Sequence, residues 1–173
     1  MEAYYYQQMS KPQQAAYHAM KAGFTALSPG FSVPRLENRE LSDIFFRLRL
    51  DCPEIFYVTG FTYRFTPGAE NVELLPEYLF DKAKIRDHQK ALASRVDKLA
   101  RPAMNMTASE KERYIHDFIC QNVRYDKLKK PYSHEIIGPL GQGVGVCAGT
   151  AKSVKILRDA PGSCSTRAAS EAH

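Results

Sequence analysis

The segment from residue 138 to residue 151 combines glycines with a cysteine. Four glycines lie between Gly138 and Gly145, and Cys147 and Gly149 follow them. Glycine allows positive φ angles and the close approach of a backbone to a substrate. The residues after this run have helical spacing, which predicts that Cys147 lies in the first turn of a helix entered from a glycine-rich loop.

That position would give Cys147 the properties of a nucleophile. The unpaired N–H groups and the positive dipole end of a helix N-terminus favour the thiolate over the thiol. The backbone N–H of Cys147 can stabilise a developing oxyanion, and Gln142, Gly145 and Gly149 are candidates for supporting the oxyanion or the loop. A free cysteine is more commonly a small buried residue, and a loop glutamine more commonly a solvated amide. Spacing alone therefore leaves both interpretations of Cys147 open.

The element before this segment is predicted to be a helix. Either Thr107 with Glu110 or Ser109 with Glu112 forms a capping box at its start. The helix continues to about Asn122, and it is followed by the segment Asn122–Asp126, a polar loop and the glycine-rich run.

Upstream of residue 106, helical and strand periodicities alternate. Apolar residues recur at helical spacing in three segments, residues 11–27, 39–50 and 82–99. Alternating apolar residues over 55–65 and 72–78, with turn residues between them, predict a β-hairpin. Pro76 is expected to place the second strand at the edge of the sheet or to end it early, because proline lacks a backbone donor.

Two motifs, in this order, resemble the transglutaminase-like superfamily of papain-related cysteine acyltransferases and peptidases. Asn122–Asp126 (NVRYD) is similar to the family's N-[VI]-x-Y-D segment, and Gly143–Ala151 (GVGVCAGTA) is similar to its G-x-G-V-C-x-G-x-A segment. The resemblance spans residues 111–157. Residues 1–106 more weakly resemble the helical and hairpin leader of some bacterial members.

The resemblance implies a fold and a reaction. The fold would be α+β, with a helix-rich leader and β-hairpin in residues 1–106 and the front part of a papain-like core in residues 107–160. Cys147 would attack a glutamine carboxamide or a peptide bond, and an amine or water would resolve the thioester. The implied partner is a protein or peptide substrate, with no metal and no organic cofactor.

A nucleophilic thiol needs a base, and the base needs a group that orients it. In the family this His and Asp lie downstream of the cysteine helix, whereas residues 161–173 contain no large apolar residue and are predicted to be disordered. We therefore expect a truncated or frame-shifted chain that lacks the triad and is inactive. His134 is a weak base candidate, and the terminal His173 is discounted. The alternative is a non-catalytic protein-interaction module in which the cysteine motif is a relic.

Composition argues against several other classes of protein. The net charge is +5, and the one tight basic cluster, residues 127–130, is too short for a nucleic-acid surface and is read as a solvated loop. No stretch approaches the roughly 20 apolar residues of a membrane span. The N-terminus has neither a basic segment nor an apolar run, so we expect a cytoplasmic protein.

The cysteine pattern favours reduced thiols over a metal or disulfide framework. Cys52, Cys120, Cys147 and Cys164 include no C-x-x-C pair. His116 and Cys120 are four residues apart on a predicted helix and can present two metal ligands on one face. No second ligand pair is visible, so no metal site is predicted.

Overall fold

The computed structural model describes residues 3–160. They form an α+β protein in which helices predominate and the strands form one three-stranded and one two-stranded sheet. The chain divides into two compact units after Ile85. The predicted disordered tail, with Cys164 and His173, lies outside the described residues.

The first unit contains two helices and three strands. The helices are α1 (Lys11–Thr25) and α2 (Asn38–Asp51). The strands are β1 (Phe31–Pro34), β2 (Val58–Arg64) and β3 (Asn71–Tyr78). Both predicted helices and the predicted hairpin are confirmed within a few residues, whereas β1 is an additional strand.

The strand β3 is central and continues to Tyr78, so both alternatives predicted for Pro76, a place at the sheet edge or an early end of the strand, are wrong. The order is β1-β3-β2, and both pairings are antiparallel. The pairing with β1 ends at Leu74, and Pro76 lies opposite Phe61 of β2. Beyond Leu74, β3 has a neighbour on one side only, so the missing N–H of proline interrupts no second ladder.

Aromatic rings join the helices of this unit to its sheet. Phe24 of α1 lies edge-to-face against Phe31 and Phe45, and Phe45 lies edge-to-face against Phe61. The ring centroids are 5.5 to 5.7 Å apart. Each such pair contributes about 0.5–1.5 kcal/mol beyond the burial of its area. The Tyr57 hydroxyl donates to the Phe24 carbonyl at 3.0 Å and so ties the end of α1 to the same core.

Substitution of two adjacent phenylalanines of α2 tests which side chains of this helix belong to the core. Phe45→Ala should lower the free energy of unfolding by about 3–5 kcal/mol, because Phe45 is 8% exposed and contacts two other rings. Phe46→Ala should change it by less than about 0.5 kcal/mol, because Phe46 is 60% exposed. Urea denaturation of the full chain, followed by circular dichroism, compares the two variants. Equal losses would contradict the assigned core.

The second unit contains three helices and a pair of short strands. The helices are α3 (Lys82–Ala100), which contains the division between the units, α4 (Ala108–Asn122) and α5 (Cys147–Asp159). The strands are β4 (Arg124–Tyr125) and β5 (Val144–Gly145). Three short helical turns complete it: Arg101–Ala103, Pro131–His134 and Ile137–Gln142.

The division after Ile85 differs from the boundary at residue 106 expected from the sequence. Contacts between α3 and α4 account for the difference. The Tyr114 hydroxyl donates to the Leu99 carbonyl at 2.9 Å, and the Arg95 guanidinium lies 5.7 Å from the centre of the Phe118 ring. Most of α3 therefore belongs with the helix that follows it.

The first turn of α4 is fixed by hydrogen bonds that bear on the site. Thr107 accepts the Glu110 N–H at 3.2 Å and donates its own N–H to the Glu110 carboxylate at 2.8 Å. The first of the two predicted capping boxes is therefore the one that forms. The buried Lys111 ammonium donates to the Arg158 carbonyl at 2.8 Å, which ties α4 to the last turn of α5.

Candidate functional site

Cys147 is the first residue of α5, as the sequence predicts, and its side chain is exposed. The preceding Val146 has extended backbone geometry, and its apolar side chain cannot cap this helix end. The helical hydrogen bonds begin with the Thr150 N–H, which donates to the Val146 carbonyl at 3.0 Å. The N–H groups of residues 147–149 therefore have no acceptor inside the helix and lie beside the thiol.

Paired strands fix the chain that leads into Cys147. β4 and β5 run parallel, with Tyr125 opposite Gly145. The Arg124 N–H donates to the Gly143 carbonyl at 2.9 Å, and the Asp126 N–H donates to the Gly145 carbonyl at 3.0 Å. The centre of the NVRYD segment therefore pairs with the residues just before the cysteine.

The Asp126 carboxylate organises the loop that follows β4. It accepts the N–H groups of Leu128 and Lys130 at 3.0 and 2.9 Å and also the Ser133 hydroxyl. These bonds, that of the Ser133 hydroxyl foremost, hold the pKa of Asp126 below its ordinary value. Lys129, between the two donating residues, has a positive φ of 50°. The carboxylate thus fixes a loop conformation that the backbone alone would disfavour.

Ser133 connects this loop to the cysteine. It is fully buried, and its carbonyl accepts the Val146 N–H at 3.1 Å, one residue before Cys147. A Cβ on Gly149 would overlap the Ser133 carbonyl oxygen. Glycine at this position therefore lets the protein's own loop lie against the first turn of α5.

The glycine-rich run is more ordered than a loop. Residues 137–142 form a π-helical turn, and Gly143 ends it with a left-handed φ of 68°. Within the run, Gly143 is the only described residue with a positive φ. A Cβ on Gly145 would come within 2.6 Å of the Pro139 ring, so this glycine permits tight internal packing.

A buried ion pair joins the same loop to the second turn of α5. The Lys152 ammonium donates to both oxygens of Glu135 at 2.7 and 2.8 Å, and the two side chains are only 7% and 3% exposed. On this helix the small apolar Ala151 is exposed, whereas Lys152 is buried. Loss of either partner would leave an uncompensated buried charge.

Gln142 lies near residues of α3. Together with His88 and Arg95 of α3, it lines a cavity of about 480 Å³. Within the described part of the chain, Cys147 is not among the residues that line this cavity. The role of Gln142 at an oxyanion stays a prediction.

His134 is exposed at the end of the turn Pro131–His134, between the buried Ser133 and Glu135. Its backbone is therefore held close to the start of α5 by its two neighbours. Within residues 3–160, no hydrogen bond joins its ring to the Cys147 thiol. Its role as a base stays a prediction.

The predicted pair of His116 and Cys120 forms on the exposed face of α4. The Cys120 sulfur lies 3.6 Å from Nε2 of His116, and Nδ1 of His116 lies 3.3 Å from the Asp117 carboxylate. Across residues 3–160, no three His, Cys, Asp or Glu side chains are grouped so that they can hold a metal ion. Cys52, in contrast, is buried, and this burial raises the pKa of its thiol.

Comparison with known proteins gives no assignment. No protein-family model matches the chain, and no curated protein matches its sequence significantly. Within the described residues, no helix has both the length and the apolar character needed to cross a membrane. The functional interpretation therefore depends on the geometry of the site and on the two motifs.

Asp126→Asn should lower the melting temperature at pH 7, because the amide cannot accept the three hydrogen bonds that the carboxylate accepts. The folded-state pKa of Asp126 is depressed, so its stabilisation is complete above the ordinary carboxyl pKa of about 3.9 and is lost as the pH falls further. The difference in melting temperature between the wild-type chain and the variant should therefore narrow below about pH 4.

Calorimetry of the two chains between about pH 3 and about pH 7 measures this difference in melting temperature. Asp87→Asn is the control, because it makes the same substitution at an exposed position of α3, away from the donors of the loop. It should change the melting temperature little. A difference that stays constant or widens toward acid pH would contradict the role assigned to Asp126.

Proposed function

We propose that Cys147 is the nucleophile of a thiol acyl-transfer site of the transglutaminase-like type. The observation that carries the proposal is an exposed thiol on the first residue of α5, beside backbone amides at the positive end of the helix. The pairing of β4 with β5 supports it, because the two segments that resemble the family's motifs are neighbours in the fold.

The reaction would begin with attack of the Cys147 sulfur on the carbonyl carbon of a glutamine carboxamide or a peptide bond. A carbon–sulfur bond forms, and the carbonyl oxygen becomes an oxyanion that the N–H groups at the start of α5 can stabilise. When this intermediate collapses, the carbon–nitrogen bond breaks, and ammonia or the peptide amine leaves with a proton. An amine or water then attacks the thioester and releases the thiol.

Proton transfer is the step for which the described residues offer the fewest catalytic groups. Within residues 3–160, no imidazole or carboxylate is hydrogen-bonded to the Cys147 thiol. His134, on the loop that contacts α5, is the candidate base. We therefore expect residues 3–160 to support acylation of Cys147 with little turnover, since a positioned base contributes about 10²–10⁴-fold to the rate.

A second candidate function is a non-catalytic protein-interaction module. It is favoured by the first unit, in which the aromatic core joins both helices to the sheet without the residues of the thiol site. In that case the cysteine would keep its place in the fold but would have no enhanced reactivity.

Cysteine alkylation separates the two functions. Cys147 should react with limiting iodoacetamide about threefold or more faster than Cys120, because Cys147 begins a helix whereas Cys120 lies near the negative end of α4. The buried Cys52 should stay unmodified while the chain is folded. Peptide mapping by mass spectrometry after a short pulse at neutral pH measures all three.

His116→Ala is the matched control, because it removes the imidazole that lies beside the Cys120 sulfur. Preferential alkylation of Cys147 in both chains supports the acyl-transfer function. If Cys147 reacts no faster than Cys120 in either chain, the nucleophile assignment fails and the interaction module is favoured.

A further inference from the structure

We propose that residues 124–132, called here the basic loop, are the docking surface for an acidic segment of a peptide substrate. The inference rests on the proposed function, because such a segment would bring a substrate amide to Cys147. Its own support is the charge, the exposure and the fixed conformation of the basic loop.

The basic loop carries four cationic residues and one acidic residue. Its four cationic side chains are all exposed, and none forms an ion pair within residues 3–160: Arg124, Lys127, Lys129 and Lys130. The one acidic residue of the loop, Asp126, is buried, and its carboxylate accepts the loop's own N–H groups. The positive charge of the basic loop is therefore available to a partner.

Large apolar side chains accompany these cations. Tyr125 is 60% exposed and Leu128 is 76% exposed, and the Lys130 ammonium lies 5.6 Å from the centre of the Tyr132 ring. Single exposed apolar residues are common on proteins, but here two lie within a short loop among four cations. That combination complements a peptide in which acidic residues alternate with apolar ones.

The conformation of the basic loop is set before any partner binds. The Asp126 carboxylate fixes the backbone at Leu128 and Lys130, and its bond with Ser133 ties the end of the loop to the core. A preorganised surface loses less conformational entropy on binding, which favours affinity for a short peptide.

The first two residues of the basic loop pair with the strand that leads into Cys147. Tyr125 is paired with Gly145, two residues before Cys147, and paired strands are about 4.8 Å apart. An extended peptide that contacts Tyr125 and the lysines would pass beside the start of α5. A nucleic acid is the less suitable partner, because its binding requires a longer basic stripe than this one.

Fluorescence anisotropy with a defined peptide tests the assignment. The probe is fluorescein-labelled Glu-Leu-Glu-Gln-Leu-Glu-Tyr-Glu, and its control has every Glu replaced by Gln. The full chain carries Cys147→Ser so that binding is measured without acyl transfer. Combined Lys127→Gln, Lys129→Gln and Lys130→Gln should weaken binding about tenfold or more, and added salt should weaken it further.

The matched control makes the same change in net charge on α3, at exposed Lys82, Lys90 and Lys98. It should weaken binding less than about twofold, because these lysines lie outside the basic loop. Leu128→Ala, at a side chain with little burial to lose, should weaken binding a few-fold without changing the melting temperature.

Two results would overturn the proposal. One is equal affinity for the acidic peptide and its all-Gln control. The other is unchanged affinity in the triple variant of the basic loop. Tighter binding of a single-stranded oligonucleotide of equal charge, lost in the same variant, would also overturn it, because the loop would then be a nucleic-acid surface. Loop-dependent peptide binding without preferential alkylation of Cys147 would keep the docking surface and reject acyl transfer.

Discussion

The position of the thiol depends on one buried carboxylate and the loop that it holds. Asp126 accepts two backbone N–H groups and the Ser133 hydroxyl, and the Ser133 carbonyl in turn accepts the Val146 N–H. Cys147 follows directly. Without these bonds, a loop with a left-handed lysine and several exposed cations would have many conformations, and the start of α5 would lose its support.

The same loop connects the NVRYD segment to the cysteine segment in the fold. NVRYD provides both the strand that pairs before the cysteine and the carboxylate that shapes the loop. Gly149 leaves room for the Ser133 carbonyl, and Lys152 pairs with Glu135 one turn further along α5. Because the basic loop is built on this frame, the proposed docking surface and the proposed nucleophile share one support.

Signals from near neighbours in sequence predict much of this structure. The cap at Thr107 follows from residues within one turn of it, and the helix start at Cys147 follows from the glycine run before it and the helical spacing after it. The burial of Lys152 depends on Glu135, 17 residues earlier, and helical periodicity cannot show that partner. The central place of the strand that contains Pro76 depends on a four-residue strand too short to give a periodic pattern. The location of the candidate nucleophile could thus be predicted, whereas its supports could not.

Acyl transfer to Cys147 is tested most directly by mixing the full chain with p-nitrophenyl acetate and locating the acetyl group by mass spectrometry. If Cys147 is the nucleophile, we expect a burst of p-nitrophenolate and a hydroxylamine-sensitive thioester on Cys147, both lost in Cys147→Ser. A burst that is unchanged in Cys147→Ser, or acetylation confined to Cys120 and lysines, would contradict it.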